Sequence, residues 1–75
     1  MNEIIFNVVA RIMDVPPEVV TEESSSSNLS NWDSLRQMKL IMAIEEALGI
    51  EFDDSDIVEM NNVRSIIERV SQRSE

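Results

Sequence analysis

NWDSLRQMKLIMAIEEALGIEF, residues 31–52, is the most regular stretch of the chain. It predicts a helix from Asp33 to about Leu48. Asp33 is a good N-cap, because a short carboxylate accepts from the first free backbone N–H groups. Gly49 suits the left-handed residue that closes a helix. At 100° per residue, with Leu35 at zero, Leu40, Ile41, Ile44, Ala47 and Leu48 gather between about 120° and 240°. That arc is the expected core face, and Gln37 falls within it as a polar residue bordering the interior. Leu35, Met38 and Met42 form a second apolar strip at about 300–360°, flanked by Glu45 and Glu46. Either the neighbouring loop covers this strip, or it is an exposed docking surface to which the adaptable methionine side chain is suited.

Working outward, the segment from Glu3 to about Met13 predicts an amphipathic helix with Asn2 as its cap. Ile4, Ile5, Phe6, Val8, Val9, Ile12 and Met13 fill one broad arc, wide enough to face two neighbours. Pro16 and Pro17 end it, since proline disfavours helical geometry before it and removes a donor. Pro16 to Val20 suggests one short turn with Val19 or Val20 tucked inward. The run TEESSSS, residues 21–27, reads as polar and flexible, with Leu29 as the apolar anchor before Trp32. A connection this long in a small domain is commonly functional. On the other side, Ile50 and Phe52 anchor an extended connector. Asp53, Asp54 and Asp56 open a short third helix ending near Met60, acidic residues being favoured at a helix start. Asn62 caps a last helix in which Val63, Ile66, Ile67 and Val70 follow the spacing of one buried face. Residues 71–75 read as a polar, fraying tail.

The whole is expected to be an all-α bundle of three main helices and one short one, a single domain over residues 1–75. With 75 residues, one Gly, two Pro and no Cys, there is room for one small core and no disulfide to staple it. No His is present either, so a zinc site is not expected. Six basic residues against 15 acidic ones leave a net charge of −9. Nucleic acid and anionic membranes both require clustered Lys or Arg and are not expected partners. Basic patches on other proteins are, although the charge also serves solubility. The first residues, MNEIIFNVVARIMD, lack a basic leader, and no apolar run approaches the ~20 residues of a membrane span. A cytoplasmic monomer is expected.

Catalysis finds little to work with. Near neutral pH it draws on His, Cys, or a carboxylate or Lys with a shifted pKa. The one Lys, Lys39, falls on an exposed helix face. An independent enzyme is not expected. Asp53, Asp54, Asp56 and Glu59 lack the glycine and the twelve-residue spacing of a calcium loop, and read as an acidic helix start. What remains is Asp33-Ser34-Leu35. Three residues among a chain with ten serines are a weak signal alone. Their position, after a long loop and at the start of the central helix, gives them weight.

Residues 31–52 followed by DDSDIVEMNNVRSIIERV resemble the acyl carrier protein family over nearly the whole chain. The matching features are Asp33-Ser34-Leu35, the series Leu40, Ile44 and Leu48, the pair Glu45-Glu46, and the start Asn62-Val63. The resemblance implies a four-helix fold with the short third helix at the side of the other three. It implies 4′-phosphopantetheine, transferred from coenzyme A to Ser34 by a phosphopantetheinyl transferase, with Asp33 helping to position magnesium and phosphate and Leu35 beside them. A phosphodiester on Ser34 would lie against free N–H groups of the helix start, where negative charge is favoured. The arm's thiol would carry an acyl thioester to acyl-activating, synthase or acyltransferase enzymes. They would dock on Leu35, Arg36, Met38, Lys39, Met42, Glu45 and Glu46, and an acyl chain would shelter among Leu40, Ile44, Met60, Val63 and Ile67.

Two features depart from the family pattern. Asn31 and Trp32 stand where many members have a glycine, and Arg36 and Lys39 stand where carriers of bulk fatty acid synthesis show acidic residues. Both favour a stand-alone carrier for a specialised pathway. The wheel leaves Arg36 and Lys39 free to meet a partner, although both also read as solubilising residues. An aminoacyl or peptidyl carrier and an unmodified helical adaptor remain open beside the acyl carrier.

Overall fold

Four helices and one short 3-10 turn make up the fold in a computed structural model that describes residues 2–73. The helices are α1 (Asn2–Met13), α2 (Ser34–Leu48), α3 (Asp54–Glu59) and α4 (Val63–Arg73), and the 3-10 turn spans Pro17–Val19. α1 packs on both α2 and α4, and α3 leans on α4. This is the expected arrangement of three main helices and one short one. Ile5, Val9 and Met13 from α1, Leu40, Ile41 and Ile44 from α2, and Val63, Ile66 and Val70 from α4 meet in one buried core, which Met60 completes.

Helix ends follow the local chemistry. The Asp33 side chain caps α2, and Gly49 closes it at φ 66°, in the left-handed region. The Ile50 N–H bonds back to the Glu45 carbonyl at 3.2 Å. α1 ends in the same way with the Val15 N–H on the Ala10 carbonyl at 3.0 Å, but its left-handed residue is Asp14, at φ 58°. Both are the closing turn in which an otherwise orphaned carbonyl is satisfied from beyond the helix. Asp33 and Asp53 each accept from the backbone N–H three residues on, and Asp56 returns the bond to Asp53 in a capping box.

Several expectations need correction. Ile4, placed in the core arc, is 45% exposed, while Ala10, whose small side chain carries little weight in a hydrophobic pattern, is buried. Ala47, also placed in the core arc, is exposed beside a surface hollow that it lines with Arg11, Ala43 and Glu46. Of the two valines after the prolines, Val20 is the buried one.

The loop of residues 21–27, read from sequence as polar and flexible, is tied by hydrogen bonds within itself and to its neighbours. Ser24 is buried, with its hydroxyl accepting from the Thr21 N–H at 2.9 Å. Asn28 accepts from the Ser25 N–H and donates to the Glu23 carbonyl. The loop also serves α4. Its Ser24 and Glu22 carbonyls accept from the N–H groups of Val63 and Arg64, and the Asn62 side chain takes that of Ser65. Three donors that a helix start leaves unpaired are thereby satisfied. The Arg64 guanidinium adds an exposed ion pair to Glu23 at 2.6 Å.

α3 is seated by charge. Asp56 is 1% exposed, and its carboxylate receives Arg69 at 2.9 Å and also Arg73. This explains why α4 continues through Arg73 where a tail fraying from Ser71 was expected: the last described turn is held by its own arginine. Residues 74 and 75 lie outside the described residues. Nearby, the Asp53 carboxyl is held well below the usual carboxylate range, first by the Ser55 hydroxyl, then by the Asp56 N–H and by Arg73.

Candidate functional site

Ser34 is the first residue of α2 and is exposed. Asp33, just before it, accepts the Arg36 N–H on its side chain at 2.8 Å and the Gln37 N–H on its carbonyl at 2.8 Å. The N–H groups of Ser34 and Leu35 precede the first intrahelical bonds and meet no acceptor among the described residues. A phosphodiester oxygen on the Ser34 side chain fits here: the hydroxyl is open, two N–H donors are free, and the positive end of a 15-residue helix lies behind them.

The outer face of α2 is apolar and uncovered. Leu35 is 66% exposed, Met38 50% and Met42 63%, so the strip is not buried by the loop. Lys39 and Glu46 are exposed beside it. Val58 of α3 is exposed as well. Two residues expected on this face are otherwise engaged. Arg36 is half-buried, its guanidinium donating to the Ile12 carbonyl near the end of α1. It is not free, because the last carbonyls of a helix lack intrahelical donors and attract a nearby cation. Glu45 is half-buried and accepts the Phe52 N–H at 2.9 Å, which fixes the connector after α2.

Of the residues expected to shelter a chain, Leu40, Ile44, Met60 and Val63 are completely buried, and Ile67 is half-buried against them. They pack in one core, and the surface hollow lined by Glu3, Phe6, Asn7, Pro17 and Glu18 lies elsewhere. Between these residues and Ser34 sits Gln37. Its side-chain oxygen accepts from the Trp32 indole N–H, and its amide nitrogen donates to the Met60 carbonyl.

Residues 3–70 match the family model described as the phosphopantetheine attachment site. The chain is 33% identical over 66 residues to an acyl carrier protein of Thermosynechococcus vestitus, a match covering 88% of this chain and 82% of that one. It is 30% identical over 66 residues to the acyl carrier protein of Guillardia theta, with the same coverage. The chain belongs to the acyl carrier protein family. The solution structure of a holo acyl carrier protein from Geobacter metallireducens superposes with a TM-score of 0.85 at 25% identity, covering 97% of this chain and 84% of that one.

As an acyl carrier protein, it holds 4′-phosphopantetheine covalently and is a carrier rather than an enzyme. The arm supplies a thiol that forms a thioester with an acyl group. Phosphopantetheinyl transferase, synthases and acyltransferases are the general partners of such a carrier. No described helix is long and apolar enough to cross a membrane.

Sequence reasoning missed two features of this carrier. The Gln37 bridge was half visible, since Gln37 fell inside the core arc and a buried indole N–H requires an acceptor. The pairing of Asp56 with Arg69 and Arg73 left no local trace, because the partners lie 13 and 17 residues away on another helix. A buried Asp needs a cationic partner, but the apolar spacing of so short a helix could not show which acid is buried.

Proposed function

We propose that Ser34 bears the phosphopantetheine arm and that the protein serves a specialised biosynthetic pathway as a carrier of acyl thioesters. The observation that carries this reading is the exposure of Ser34 at the capped start of α2, with the free N–H groups of Ser34 and Leu35 beside it. Three other serines are less suitable. Ser24 is buried, and Ser25 and Ser55 have their hydroxyls engaged as an acceptor and a donor in local turns. In this reading Asp33 holds the helix start in shape and helps to position magnesium and phosphate during transfer. Leu35, Met38, Met42, Lys39 and Glu46 meet the partner enzyme, and Leu40, Ile44, Met60, Val63 and Ile67 receive the chain when the helices part.

The specialised pathway is supported by Lys39, a lone exposed cation beside the apolar strip with no ion pair among the described residues. A basic patch on a partner that recognises an acidic helix is repelled there, which disfavours the wrong partner. The test of the attachment site is intact mass after incubation with coenzyme A, magnesium and a broad-specificity transferase. One arm is expected on the native chain and none on Ser34→Ala. A Ser34→Ala chain that still gains the arm overturns the assignment.

A further inference from the structure

Gln37 lies three residues after Ser34, one helical turn along α2, and Leu40 and Ile44 follow it at three and seven residues. These spacings place all four on neighbouring positions of one helix side. A chain leaving Ser34 for the buried residues therefore meets Gln37 first. The side chain there is not a loose polar tip. Its two ends are bonded to the Trp32 indole and the Met60 carbonyl, which belong to different segments of the fold.

Each partner is itself fixed. Trp32 is 5% exposed, its N–H bonds to the Leu29 carbonyl at 3.0 Å, and the adjoining Asn31 donates to the Met13 carbonyl at 2.8 Å. Met60 is completely buried at the end of α3, and its N–H bonds to the Ile57 carbonyl at 3.2 Å. The Gln37 carboxamide thus ties the end of the long loop and the α3–α4 junction to the first turn of α2. Parting Leu40 from Met60 and Val63 breaks no hydrogen bond, but separating Gln37 from either partner leaves a buried polar group unpaired.

We propose that Gln37, held between Trp32 and Met60, is a specificity-determining latch that sets the minimum length of acyl chain the carrier shelters. Its opening is a fixed cost, whereas the gain from burying a chain grows with each methylene. Short acyl groups stay outside, and shelter begins only once the chain is long enough to offset the broken bonds. This rests on the reading of Ser34 as the attachment site and of the α2–α4 interior as the shelter.

The experiment loads the full chain from acetyl-, hexanoyl- and decanoyl-coenzyme A with a transferase, confirms each product by intact mass, and measures melting temperature and fluorescence. Trp32 is the sole tryptophan and there is no tyrosine, so emission reports on the latch directly. In the native chain the hexanoyl form should melt with the acetyl form, and the decanoyl form should melt higher with altered Trp32 emission. In Gln37→Ala the threshold should move to shorter chains. The hexanoyl form should then gain about 4–8 °C over its acetyl form, the shift that one net hydrogen bond makes in a domain of this size. Should Gln37→Ala fail to fold, Trp32→Phe removes the indole donor while keeping an aromatic ring, and should lower the threshold in the same direction, read by melting temperature alone because the sole tryptophan is gone. Equal chain-length profiles in native and variant proteins overturn the latch. So does unchanged Trp32 emission in a decanoyl form whose Leu40 and Ile44 amide resonances have moved. Failure to gain any arm, seen by mass alone, overturns the Ser34 reading and the latch with it.

Discussion

Replacing Asp56 by alanine should cost this domain a large part of its stability. The Asp56 side chain is 2% exposed, while that of its partner Arg69 is 29% exposed. A hydrogen bond to a charged group contributes about 1.5–3 kcal/mol net. Breaking a fully buried pair by removing one member costs about 3–5 kcal/mol. Arg69 can turn partly to water, so the lower half of these ranges applies, and about 2–3 kcal/mol is expected from the Asp56–Arg69 pair alone. Arg73 and Asp53 are too exposed to add a figure to that sum. At about 0.05–0.15 kcal/mol per residue, a chain of this length has roughly 4–11 kcal/mol in all. The loss is therefore between about a fifth and three quarters of the total.

Urea unfolding followed by far-ultraviolet circular dichroism gives the number. With a slope of about 1 kcal/mol per molar urea for a small domain, the midpoint should fall by about 2–3 M. Arg69→Met made in the Asp56→Ala background should then cost little more, because the pair is already broken. A midpoint shift below about 0.5 M would refute the reasoning. Strict additivity of the two substitutions would refute it too, since side chains in direct contact ordinarily couple by at least about 0.5 kcal/mol.

Three further outcomes are expected. Gly49→Ala should destabilise by about 1 kcal/mol in the same assay through backbone strain alone, since an added Cβ meets nothing within 4 Å but the residue sits at φ 66°. Asp53→Asn keeps a capping side chain but loses the ion pair to Arg73. Because the native Asp53 carboxyl is depressed, its contribution is complete above the unfolded value of about 3.9 and falls away below it. The stability gap between native and Asp53→Asn proteins should thus be constant near neutrality and narrow as pH drops below about 4. Lys39→Glu should raise turnover by enzymes of bulk fatty acid synthesis and lower it with the natural partner, and no change with either set would return Lys39 to the role of a solubilising residue.

What was legible in the sequence was whatever a single helix states about itself. Asp33 and Gly49 bracketed α2, Asn62 marked the start of α4, and the spacing of Leu40, Ile41 and Ile44 named the core face. The attachment candidate Ser34 was legible for the same reason, as a local triplet at a helix start. What was not legible depends on two distant segments at once. Residues 21–27 look flexible alone, but their carbonyls complete the start of α4. Arg36 points off the core arc of its own helix, yet the end of α1 lies within its reach. Glu45 is drawn from the outer face by a backbone N–H seven residues on. In each case an otherwise unpaired backbone group on another segment is satisfied, and no wheel of one helix contains that group.

The same engagements decide how charge is presented to a partner. Of the six basic residues, Arg64, Arg69 and Arg73 are committed to ion pairs within the fold, and Arg36 to the Ile12 carbonyl. Arg11 and Lys39 are left without an ion pair among the described residues, and only Lys39 stands on the outer face of α2. At a distance beyond the Debye length of about 8 Å in physiological salt, single charges are screened, and a partner senses mainly the net −9. Approach is therefore steered as for any acidic carrier. On the docking face proposed above the order would reverse at contact, because Lys39 is exposed beside Leu35, Met38 and Met42, whereas the arginines of the fold are committed to their own partners. In that reading, attraction at long range and rejection at short range are separable properties of one helix. Raising salt should weaken encounter with every basic partner, while the discrimination assigned to Lys39 should persist, since it acts over a contact distance that screening affects least.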